Sequence, residues 1–202
     1  MSNASWSHRL MRPLVRPLIG SPVTPNHLTT LRLITALAAC AAFAMGEYRW
    51  DIWGGLLWTL SALLDRADGE LARLGGLSSA AGHLFDYMAD LAANSLFFVA
   101  IAIGLADRYP LDGATIPIGI LAGGSIALAS ILSEQLERRD GTGRRAYEGL
   151  AGFDFDDLLY LFGPIAWLHG LLPLLIGAGI GAPAFAALTG WRLRRMARRR
   201  PA

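Results

Sequence analysis

Long apolar runs alternate with short polar connections along this chain. The first run extends from Leu28 to about Met45, and five more follow at roughly 50–73, 80–105, 114–137, 154–170 and 172–191. A helix that crosses a bilayer needs about 20 apolar residues, a length the fifth run reaches only if it begins at its acidic end. The HGLLP stretch makes the boundary between the fifth and sixth runs soft. Six helices are expected, with five as the fallback. Ahead of the first run, SPVTPNHLTT carries helix-start signals. Further upstream, WSHRLMRPLVRPLI spaces Arg9, Arg12 and Arg16 by three and four residues with Leu10, Leu14, Val15 and Leu18 between them. That pattern predicts an interfacial helix over 5–20, although Pro13 and Pro17 interrupt a regular one. The leading MSNA resembles an expression remnant, so fold reasoning starts near Trp6.

Composition turns these runs into a fold class. The hydrophobic set makes up 53% of the chain, charged residues 17%, and mean hydropathy is +0.40. The expectation is an all-α integral membrane protein with six transmembrane helices preceded by a short juxtamembrane helix. It forms one membrane domain over 1–202, with the bundle at 24–195. Cys40 is the sole cysteine, so there is no disulfide framework, and no His lies near enough in sequence to activate it.

Charge placement tests the count independently. Arg9, Arg12 and Arg16 precede the first run, Arg66 and Arg73 sit near the second connection, and Arg138, Arg139, Arg144 and Arg145 fill the fourth. Six more arginines end the chain, whereas the opposite connections hold only Arg49 and Arg108. By the positive-inside rule both termini and the acidic end of the second helix face the cytoplasm of a multi-pass inner (plasma) membrane protein, which requires an even number of spans. The terminal RLRRMARRR could read as a nucleic-acid patch, but beside an apolar helix it serves topology and anionic lipid. No nucleic-acid partner is expected.

The unusual chemistry lies in LDRADGELARLGGLSSAAGHLFDYMAD. Asp65 and Asp68 are three residues apart, with Gly69 and Ala72 continuing that side, and Asp86 and Asp90 are four apart with Gly82 one turn earlier. A turn at LGGLSS would bring the ends of the second and third transmembrane helices side by side, so that all four carboxylates converge. A central membrane Asp costs about 2.5–3.5 kcal/mol on insertion scales, and only Arg66 and Arg73 lie near in the motif, so compensation is required. Divalent cations supply it: clustered hard oxygens suit Mg²⁺ or Mn²⁺, and four carboxylates can neutralise two ions about 3.5–4 Å apart. Small residues at 69, 72 and 82 leave room for a helix or a nucleotide to approach, and Arg73 can pair with a diphosphate. Each piece alone has a plainer explanation in packing, anchoring or capping; four clustered carboxylates together do not.

Asp65-x-x-Asp68-Gly69-x-x-Ala72-Arg73, then eight residues, then Gly82-x-x-x-Asp86-x-x-x-Asp90 resembles the complete signature of the CDP-alcohol phosphotransferase (CDP-alcohol phosphatidyltransferase) family. The resemblance implies transfer of a phosphoalcohol group from a CDP-linked donor to the hydroxyl of a second alcohol, with release of CMP. It implies metal ligation by Asp65, Asp68, Asp86 and Asp90, with Asp90 also the base that deprotonates the acceptor. Gly69, Ala72 and Arg73 would line the CDP pocket beside Asp68 and Gly82, and TPNHLT would add Asn26 and Thr29. The resemblance also implies a homodimer in the membrane and a role in phospholipid biosynthesis.

The acceptor is open. Arg138, Arg139, Arg144 and Arg145 would suit an anionic acceptor such as a polyol phosphate, or simply set topology. Asp154, Asp156 and Asp157 would suit an amino alcohol or neutral polyol, or simply cap the fifth helix. CDP-diacylglycerol is the default donor, while the DGELAR wording also resembles members that use soluble CDP-polyols. Outside the enzyme class, a metal-ion transporter would place acids near the midplane of several helices, and a structural anchor would leave the carboxylates unexplained.

Overall fold

The computed structural model describes residues 6–109, 111–140, 147 and 155–199, without the side chains of 155, 156, 198 and 199. Seven α-helices occur among them: α1 Trp6–Val15, α2 Pro25–Ala44, α3 Tyr48–Leu74, α4 Ala80–Ala106, α5 Thr115–Asp140, α6 Phe162–Trp167 and α7 Leu171–Arg199. No strand is present among the described residues.

Helix starts follow their local chemistry. Thr24 caps α2 in a capping box, accepting from the His27 backbone while its own backbone N–H donates to the His27 ring, and Pro25 stands at the first turn, where its missing donor costs nothing. Ser79 caps α4, accepting from the Gly82 N–H at 3.0 Å.

The main packed pairs are α2 with α3, α2 with α4, α4 with α5 and α5 with α7. Thus α2 lies between the acidic ends of α3 and α4, where the sequence had suggested that those two ends lie side by side. The core centres on Phe97, whose ring is 4.4 Å from Trp58, 4.8 Å from Phe162 and 5.4 Å from Phe43. Close helix approach rests on small residues: a Cβ at Gly119 or Gly123 of α5 would lie 2.7 Å from the Phe98 carbonyl oxygen or 2.4 Å from that of Ser95 on α4. At the end away from the acids, Arg108 donates two hydrogen bonds to buried Asp51 at 2.8 and 3.1 Å, clamping the start of α3 to the end of α4.

Among the described residues four helices are long and apolar enough to cross a membrane, namely α2, α4, α5 and α7. The expected six are not reached by that measure. Although α3 is 27 residues long, its last three turns carry Asp65, Arg66, Asp68, Glu70 and Arg73. The expected fifth helix is split into a 3-10 segment, Phe155–Leu161, and the short α6. Pro164 cannot donate to the Tyr160 carbonyl, and Gly163 sits too close to α3 for a side chain, 2.9 Å from the Gly55 oxygen at its Cβ position. The segment nevertheless runs antiparallel along α3: Asp157 meets Arg66, Tyr160 bonds the Ala62 carbonyl, and Trp167 bonds that of Ile52. Because a 3-10 turn rises ~2.0 Å per residue against ~1.5 Å for an α-turn, those ten steps, which begin in the 3-10 segment and end in α6, cover roughly 17 Å of depth, most of the roughly 21 Å that α3 covers between Ile52 and Arg66.

The juxtamembrane helix is present as α1, followed by a 3-10 turn at Arg16–Leu18. Ser7, His8, Met11 and Val15 are buried against the bundle, while Leu10 and Leu14 are exposed, as suits a helix lying at a lipid boundary.

Candidate active site

Each acidic pair shares a helix face, and α2 joins the two pairs. Carboxylate oxygens of Asp65, Asp68 and Asp86 lie within 4.8 Å of one another. From α2, the Thr29 hydroxyl donates to Asp68 at 2.8 Å, and one turn later Arg32 reaches both remaining walls. Its Nη1 lies 2.9 Å from Asp65 and 2.8 Å from Asp86, and its Nη2 donates to Asp90. All four motif aspartates therefore gather around the first turns of α2. They occupy one end of the bundle and not its midplane, against the pattern a transporter would show.

Sequence reasoning missed Arg32 and noted only Arg66 and Arg73 as arginines near the acids in the motif. The structure gives both other partners, although the Arg73 guanidinium stays 3.5 Å from the Cβ position of Gly69. Arg66 is buried and faces Asp157 at 3.4 Å and His8 at 3.4 Å, because position 66 lies on the α1 side of α3. Arg73 donates at 2.9 Å to Glu70 and contacts the His8 ring at 2.9 Å. The available signal was an arginine three residues after Thr29 inside an apolar run, since a charge at membrane depth demands a partner.

Around this centre the small residues take distinct places. A Cβ at Gly69 would meet only the Arg73 side chain, the nearest atom at 3.5 Å, so the space beside the acids there is open. At Gly82 a Cβ would lie 3.3 Å from the Asn26 side-chain oxygen, which brings the starts of α2 and α4 together. Ala72 is partly buried on the same side of α3 as Gly69.

Of the expected acceptor residues, Arg138, Arg139 and Asp157 are described with their side chains. Arg138 is exposed and paired to Glu134 at 2.8 Å, and Arg139 is exposed at the end of α5. Asp157 is buried, accepting from the Ser7 hydroxyl at 2.7 Å. Arg144, Arg145 and Asp154 lie outside the described residues, as does the Asp156 side chain.

The donor set fits hard divalent cations. One guanidinium among four carboxylates leaves a formal excess of three negative charges in a partly buried site made only of oxygen ligands, the chemistry that Mg²⁺ and Mn²⁺ take.

Comparison with known proteins gives matching results. The family profile of CDP-alcohol phosphatidyltransferase matches residues 22–139. A curated protein of Rubrobacter xylanophilus, bifunctional IPC transferase and DIPP synthase, is 33% identical over 91 residues, covering 45% of this chain and only 20% of that protein. The crystal structure of phosphatidylinositol phosphate synthase from Mycobacterium tuberculosis with CDP-DAG bound superposes with a TM-score of 0.64 at 19% identity, covering 94% of this chain and 92% of that one. The same enzyme in complex with manganese and citrate gives 0.62 at 22% identity, covering 90% and 88%.

Proposed function

This chain belongs to the CDP-alcohol phosphatidyltransferase family and is a membrane-embedded CDP-alcohol phosphotransferase; within that class we propose that it moves a phosphatidyl group from CDP-diacylglycerol to the hydroxyl of a small alcohol, releasing CMP, in phospholipid biosynthesis. The observation that carries this reading is the convergence of Asp65, Asp68, Asp86 and Asp90 around one end of α2. Asp65, Asp68, Asp86 and Asp90 would hold two Mg²⁺ or Mn²⁺ ions, which when bound offset charge on the diphosphate and on the departing CMP. The Thr29 hydrogen bond orients Asp68. The nucleotide takes the open space at Gly69, with Asn26, Thr29, Asp68, Ala72 and Gly82 as the further candidates to contact it and Arg73, one turn further along α3, for the diphosphate. Asp90 takes the proton from the acceptor hydroxyl; that oxygen bonds to the phosphorus bearing the lipid alcohol as the bond to the CMP oxygen breaks. Arg138, Arg139, Arg144 and Arg145, with Asp154, Asp156 and Asp157, remain the candidates for the acceptor side.

A second reading keeps this chemistry with a soluble CDP-polyol or CDP-amino-alcohol donor and a lipid or polyol phosphate acceptor. It is supported by the DGELAR wording and by the name of the Rubrobacter relative. In both readings the whole chain, 1–202, is one homodimeric membrane domain in the inner membrane, with the site and both termini on the cytoplasmic face.

The test is CMP release from purified protein in lipid, pairing CDP-diacylglycerol and soluble CDP-alcohols with serine, glycerol phosphate, inositol phosphate and ethanolamine. Turnover that appears with CDP-diacylglycerol, stops with a chelator and returns with Mg²⁺ or Mn²⁺ supports the first reading. Turnover with soluble donors alone selects the second, and the absence of CMP release with every donor tried discards both.

A further inference from the structure

Arg32 is a charged side chain only 3% exposed, held from three sides by carboxylates of α3 and α4. Its guanidinium cannot be neutralised by proton loss, so its charge is permanent. Two of its three partners, Asp65 and Asp86, belong to the trio that converges as a cation site, whereas the third, Asp90, does not. The Arg32 backbone is fixed as well, its carbonyl accepting from Ser61 at 3.0 Å and Thr35 at 2.8 Å. Beside the guanidinium lies a small cavity, about the size of one water molecule, lined in part by Ser61, Asp65 and Asn94.

We propose that Arg32 is a positioning residue and resident counter-cation: it competes with divalent cations for Asp65 and Asp86 and tethers Asp90, the proposed base. This rests on the reading of the aspartates as a metal site, with Asp65, Asp68 and Asp86 its converging ligands and Asp90 the base at its edge. A like charge at hydrogen-bond distance from shared ligands must weaken cation binding, and in a partly buried site that repulsion is poorly screened. The tether acts in the other direction, by holding a carboxylate that the three-carboxylate cluster leaves out.

A merely structural Arg32, stapling α2 to its neighbours, would lower thermal stability when replaced and leave the metal affinity of the folded fraction unchanged. The test is therefore Mn²⁺ titration of folded protein in detergent, read by loss of the free-ion EPR signal, for wild type, Arg32→Gln and Arg32→Lys. The expected result is Mn²⁺ affinity about tenfold tighter in Arg32→Gln, near wild type in Arg32→Lys, with kcat reduced in Arg32→Gln at saturating Mn²⁺ and KM for the CDP donor little changed. Unchanged or weaker affinity in folded Arg32→Gln overturns the proposal. Should Arg32→Gln not fold, the wild-type structure with Mn²⁺ decides: Nη1 withdrawn from Asp65 and Asp86 with Nη2 kept on Asp90 supports it, and retention of all three contacts overturns it. A wild type that binds no Mn²⁺ and releases no CMP removes the metal-site reading itself, whereas Mn²⁺-dependent turnover with an unaltered Arg32→Gln affinity removes only the role of Arg32.

Discussion

Ser7 donates a 2.7 Å hydrogen bond to Asp157, joining residues 150 positions apart. Both are buried, and Arg66 reaches the same carboxylate oxygen at 3.4 Å. With His8, Arg12 and Arg73 gathered on buried Glu70, these contacts pin α1 to the acidic end of α3 and to the start of the split fifth segment. A polar network of this kind holds together only while its members are paired, because an unpartnered buried charge is costly.

Asp157→Ala should therefore destabilise the protein by about 3–5 kcal/mol, the usual cost of orphaning a buried ion-pair partner. Thermal unfolding in detergent reads this directly. If Asp157 instead contacted the acceptor, the variant would unfold normally and show only a raised acceptor KM.

Asp51→Ala breaks the clamp to Arg108 at the end remote from the acids. Arg108 keeps some exposure, so the expected loss is smaller, about 1–3 kcal/mol. CMP release per folded molecule should stay at the wild-type level; a specific loss of turnover would place this pair in the reaction.

Asp90→Asn retains size and shape but cannot accept the acceptor's proton. Turnover should fall by about 10²–10⁴, with the unfolding temperature within a few degrees of wild type. Full activity would remove Asp90 as the base.

Gly69→Val discriminates between packing and binding. Because a Cβ there meets only the Arg73 side chain, stability should change by no more than the usual cost of a helical surface substitution, under about 1 kcal/mol. The KM for the CDP-linked donor should rise by about tenfold or more if the nucleotide fills that space. A marked drop in unfolding temperature with unaltered KM would return Gly69 to a packing role.

Much of this arrangement could be read from residue order. The runs that became α2, α3, α4 and α5 end within about three residues of where their apolar pattern stops, because length and hydropathy are local quantities, whereas α7 continues past its apolar run through the basic stretch to Arg199. Three-residue and four-residue spacing likewise sufficed to pair Asp65 with Asp68 and Asp86 with Asp90, since helical geometry alone puts such positions on one face. The split at Phe155–Leu161 was not legible: a 3-10 stretch is chosen by what Gly163 must pack against on α3, a contact more than 100 residues away in sequence.

Sequence by itself determined the all-α membrane fold class, the acidic motif and the family to which the chain belongs, all of which depend on hydropathy and short-range spacing. Tertiary structure decided which cation stands among the acids. An arginine's reach is set by the helices packed around it, so α2, placed between α3 and α4, delivers Arg32 to Asp65, Asp86 and Asp90, while Arg66 and Arg73, though neighbours of the acids in the motif, turn to α1.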